Sequence, residues 1–152
     1  MELTREDILA LVEQTWQTLF GSPIELADPT HFEVDGVRAT VAISGAWQGQ
    51  VRLDLSASAA EEIACGLLEA KPGELESAAI FDAAGEMANI LAGNLKSMLP
   101  QPSKLGLPVT FSGSALQESP DSWDANPRIV AFLWNSTPIS VTILEDSRTR
   151  WS

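Results

Sequence analysis

Leu75-Glu-Ser-Ala-Ala-Ile-Phe-Asp-Ala-Ala-Gly-Glu-Met-Ala-Asn-Ile-Leu-Ala-Gly-Asn-Leu-Lys-Ser-Met-Leu99 runs from the break at Lys71-Pro-Gly to Pro100 without a proline and with two glycines, Gly85 and Gly93. It reads as the longest helix of the chain, closed by Pro100 and Pro102. Advancing about 100° per residue from Ala84, Met87, Ala88, Leu91, Leu95 and Met98 fall within roughly 60° of it, which predicts the buried face. Asp82, Glu86, Asn89 and Gly93 fall at about 140–200°, a narrow stripe pointing away from the core. Glu86 and Asn89 are three residues apart, so a carboxylate and a carboxamide emerge as neighbours one turn from each other.

Period-two stretches lie on either side of this helix, with two further helices upstream. Upstream, Thr4 can cap a helix over residues 5–20, with Asp7 completing the capping box in place of the usual Glu and apolar Ile8, Leu9, Leu11, Val12, Trp16, Leu19 and Phe20 on one side. Gly21-Ser-Pro ends it. Alternating apolar residues then predict a hairpin over His31–Ser44 around Asp35-Gly36, and a further strand at Val51–Leu55. Ser56 or Ser58 can cap a second helix through Ile63, Ala64, Leu67 and Leu68. Downstream, residues 100–108 read as a connector, Val109–Leu116 as a weakly alternating strand, and Gln117–Pro127 as a polar surface loop. Arg128–Trp134 and Ile139–Leu144 read as a final strand pair around Asn135-Ser-Thr-Pro, before a polar tail at 145–152. Strands and helices come in blocks and not in strict alternation, which predicts an α+β fold: one domain over residues 1–152, a mainly antiparallel sheet, and further helices packed with the long central one.

Composition sets the boundaries of function. The chain has 152 residues, 45% hydrophobic and 20% charged, enough for one globular core. A formal net charge of −12, with no cluster of Lys or Arg, opposes binding to nucleic acid. The charged start Met1-Glu-Leu-Thr-Arg-Glu-Asp-Ile lacks the pattern of a signal peptide, and no apolar run is long enough to span a bilayer, so a cytoplasmic protein without membrane contact is expected. One cysteine, Cys65, excludes an intramolecular disulfide, and one histidine leaves no zinc cluster, so no bound metal or cofactor is expected.

Asp82-Ala-Ala-Gly-Glu86-Met-Ala-Asn89-Ile-Leu-Ala-Gly93-Asn94-Leu-Lys resembles the Asp/Ser-x3-Glu-x2-Asn motif of the CheC, CheX and FliY chemotaxis phosphatases, and its Glu-x2-Asn-x3-Gly-Asn form looks most like the CheX branch. Upstream, Gly49-Gln-Val-Arg-Leu-Asp-Leu followed by Ala60-Glu-Glu-Ile-Ala has the strand-then-helix texture of that branch. The resemblance implies a phosphatase for the phospho-aspartate of a CheY-like receiver domain in chemotaxis or related two-component signalling. The receiver brings its own Mg²⁺ and Lys, and what hydrolysis then lacks is a positioned water. Asn89, whose carboxamide both donates and accepts, would orient that water, and Glu86 would pair with the receiver's Lys. Asp82 and Gly93 would contribute to partner binding. The resemblance also implies a homodimer joined through the sheets.

Other readings stand beside this one. A polar stripe on a surface helix is by default a solvated face, although this helix carries four poor formers, Asn89, Asn94, Gly85 and Gly93. The two glycines can admit another backbone or tighten packing within the domain. Lone His31 has no motif partner. Cys65 reads as a buried small hydrophobe, and Trp47, in the Gly-flanked turn 45–49, as a partner contact. Gly45-Ala-Trp-Gln-Gly49 lacks the Lys-Ser/Thr end of a phosphate loop. A non-catalytic adaptor of the same fold would bind a receiver or a motor component without turnover, and a small-ligand domain would need an apolar pocket.

Overall fold

The structure, a computed structural model, describes residues 3–28, 36–112 and 127–146. Helix α1 spans Arg5–Phe20 and begins with the expected capping box: the Asp7 amide donates to Thr4 Oγ1 at 3.2 Å and the Thr4 amide to Asp7 Oδ2 at 2.9 Å. Gly21, in the left-handed region at φ 61°, closes it by donating its N–H to Gln17 O. Strands β1 (Glu25–Leu26), β2 (Gly36–Gly45) and β3 (Gly49–Ser56) follow, then α2 (Ala57–Leu68), started by Ser56, whose hydroxyl accepts from the Ala59 amide. Helix α3 is Ser77–Lys96, and β4 (Ser103–Leu105), β5 (Val109–Ser112), β6 (Arg128–Trp134) and β7 (Thr137–Glu145) complete the chain.

All strands pair antiparallel in one sheet of order β1-β6-β7-β3-β2-β4, with β5 sharing the outer edge of β2. Alternation sends Val37, Ala39, Val41 and Ile43 of β2, Val51, Leu53 and Leu55 of β3, and Ile139, Val141 and Ile143 of β7 to one face, where they are buried. The three helices cover that face and touch one another. Ile8, Val12 and Trp16 of α1, Ile63 of α2, and Met87, Leu91 and Leu95 of α3 fill the space above it. On the opposite face Arg38 lies across from Asp54 and meets it at 2.7 Å. The architecture is the expected α+β fold.

Several expectations are corrected. Helix α3 stops at Lys96, three residues short of Leu99, because hydrogen bonding tightens there: the Met98 amide reaches Leu95 O, and the side chains of Ser97 and Gln101 take the Asn94 and Lys96 carbonyls. Met98 is thereby turned out of the buried face and is 37% exposed. The 100–108 connector contains β4, and β1 lies in what reads as plain loop. Asn135 and Ser136, both at positive φ, form a two-residue turn, so Thr137 already belongs to β7. Trp47 is buried, its ring stacked over Gly49, and is no surface contact. The first arm of the predicted hairpin with His31, and residues 113–126, which hold the end of the Val109–Leu116 strand and nearly all of the Gln117–Pro127 loop, lie outside the described residues.

Candidate functional site

Helix α3 crosses the sheet over β2 and β3 and touches β4 and β5. Ala83, Ala84, Gly85, Ala88 and Ala92 are buried with Met87, Leu91 and Leu95, so small side chains bring the helix close to the strands while the large ones lock its rotation. That locking fixes where the opposite side points. Asp82 and Glu86 are exposed there, and Asn89 and Gly93 are half-buried. The structure thus brings all four expected residues onto one outward stripe, with Glu86 and Asn89 adjacent on successive turns.

The fold accounts for two of the four poor helix formers and not for the others. Asn94 donates from Nδ2 to Thr15 Oγ1 at 3.1 Å, and Thr15 in turn donates to Leu11 O at 2.7 Å, so Asn94 ties α3 to α1. Gly85 is buried where a Cβ would lie 3.2 Å from Thr110 Oγ1 and 3.4 Å from Pro108 Cβ, so α3 meets the β5 end of the sheet there. Asn89 and Gly93 have no such reason. Among the described residues, neither Asn89 nor Glu86 has a hydrogen-bond or ion-pair partner, and a Cβ on Gly93 would meet nothing within 4 Å. Both unexplained residues belong to the stripe. Thr15 went unnoticed in the sequence, where its signal was a hydroxyl between Val12 and Trp16 on the apolar side of α1.

Cys65 is half-buried and not in the core. Desolvation, aided by Glu61, Glu62 and Glu74, raises its thiol pKa and disfavours the nucleophilic thiolate. Among the described residues no group of three or more His, Cys, Asp or Glu is placed to hold a metal, and no helix is long and apolar enough to cross a membrane.

The family described as Chemotaxis phosphatase CheX matches residues 37–125, more than half of the chain and including the whole of α3. Solved structures agree in fold. The chemotaxis protein CheX from Vibrio vulnificus is 19% identical with a TM-score of 0.73, covering 93% of this chain and 98% of its own. The CheX–CheY–BeF3–Mg²⁺ complex from Borrelia burgdorferi gives 21% and 0.74, covering 92% and 96%. A CheC-like superfamily protein from Shewanella sp. PV-4 gives 18% and 0.74, covering 95% and 99%. No curated protein is matched in sequence. An antiparallel sheet under three helices, a Glu-x2-Asn stripe on the outer side of the central helix, and a family match across that helix together make the chain a member of the CheX family.

Proposed function

We propose that the protein hydrolyses the phospho-aspartate of a CheY-like receiver domain, in chemotaxis or a related two-component pathway of the cytoplasm. The observation that carries this reading is the pairing on α3 of Asn89 and Gly93, two costly helix residues that the fold does not use, beside an unpartnered Glu86. In the reaction, water adds to phosphorus, the bond from phosphorus to the aspartyl oxygen breaks, and the products are inorganic phosphate and a free carboxylate. Mg²⁺ held by the receiver would neutralise charge on the phosphoryl oxygens. Asn89 would accept a hydrogen bond from the water and so aim the water's lone pair at phosphorus, a positioning role that leaves the amide uncharged throughout. Glu86 would accept from the receiver's Lys and set the register of docking. Asp82 and Gly93 would complete the contact at the two ends of the stripe, and the working unit would be a homodimer joined through the sheets.

The test is the decay of a phosphorylated receiver from the same cell, with wild type, Asn89→Ala and Glu86→Ala. Acceleration by wild type, a loss of about 10²-fold in Asn89→Ala with binding retained, and weakened binding in Glu86→Ala are expected. Binding by wild type without acceleration would identify an adaptor instead.

A further inference from the structure

Beside the stripe, α1 and α3 line an open groove of about 540 Å³. Leu11 and Leu19 on α1 and Ile90 and Met98 on the α3 side give it most of its surface, with Leu19 and Met98 36% and 37% exposed, and the uncharged Gln14 and Thr18 stand among them. At its base lies the Thr15–Asn94 hydrogen bond. The ionisable group in the lining, Asp7, is already held by the Thr4 amide at the start of α1. No cation lines the groove, so a phosphate or nucleotide finds nothing there to hold it, whereas an apolar side chain does.

Position says what covers it. Ile90 follows Asn89 directly and stands one turn beyond Glu86 on the same helix, so the groove runs alongside the stripe. From Asp82 to Gly93 the stripe is about 16 Å long and, at one helix width of about 10 Å, covers on the order of 160 Å². A specific complex buries about 800 Å² per partner. A receiver seated on Glu86 and Asn89 must therefore take most of its contact from the flanks. On one flank Gly85 is already closed by Pro108 and Thr110, and the other is this groove.

Resting on the function proposed above, we propose that the α1–α3 groove is the second part of the receiver-docking surface and takes an apolar ridge beside the receiver's phosphorylation cleft. The adaptable thioether of Met98, freed by the early end of α3, suits such a contact. The test titrates the full chain against a receiver held in its active form by beryllofluoride and Mg²⁺, and measures decay of the phosphorylated receiver alongside. Ala10→Glu, at an exposed position of the lining, and Met98→Ala are each expected to raise Kd about tenfold and to raise KM more than they lower kcat. Leu68→Glu, equally exposed on α2 but outside the groove, is expected to bind as wild type, and Asn89→Ala to bind while losing turnover. The groove proposal is overturned if both groove variants bind like wild type while wild type accelerates decay. It is also overturned if they alter self-association instead of receiver affinity, which would seat a second copy in the groove. Failure of wild type both to bind and to accelerate decay would remove the proposed function and this inference together.

Discussion

Asn89 and Gly93 illustrate how a single residue can be informative by being expensive. Replacing a mid-helix glycine by alanine recovers about 0.5–1 kcal/mol of helix stability wherever the added methyl fits. At Gly93 it fits, with nothing within 4 Å. Gly93→Ala is therefore expected to raise the midpoint of urea unfolding while lowering affinity for the receiver, a split that a purely structural glycine would not give. Glu86 and Asn89 were legible in the sequence because their spacing alone puts them on one side of a helix whose other side is apolar. Trp47 was not, because burial of a turn residue depends on the Gly49 surface beneath it, which is made only when β3 pairs with β7. The role of Asn94 was equally hidden, since its partner Thr15 is remote in sequence.

At the scale of elements, what was readable followed from periodicity and caps. The capping box at Thr4 and Asp7 placed the start of α1, and Thr4→Ala is expected to cost about 1 kcal/mol in urea unfolding, because it leaves the Asp7 amide without its acceptor. The end of α3 was misjudged because proline marks where a helix must already have stopped, not where it stops. Ser97 and Gln101 settle the matter through carbonyls they reach only in the folded turn. Strands β1 and β4, two and three residues long, carry no periodicity of their own. They exist because β6 and β2 offer them an edge, and that is a tertiary fact.

For the molecule as a whole, the charge balance that argued against nucleic acid also governs colloidal behaviour. With a formal charge of −12, copies repel one another near neutral pH, and that repulsion fades as carboxylates are protonated towards the isoelectric pH of about 4.3. Solubility is expected to pass through a minimum there, read as turbidity against pH, with recovery on return to neutrality. The single core under one sheet was foreseeable from the grouping of strands and helices; the strand order was not, because β7 inserts between β3 and β6 by pairing across much of the chain length.

The margins of that sheet bear on aggregation. Among the described residues, one margin is β6, covered at one end by two-residue β1 and further along by Arg5, which donates to Ile129 O, and the other is divided between β4 and β5, of three and four residues. A short margin gives an incoming chain few backbone groups to zip onto, so edge-to-edge growth into a fibre has little to start from. The same brevity that hid these strands from the sequence leaves, among the described residues, little open edge on which a crowded solution could template amyloid.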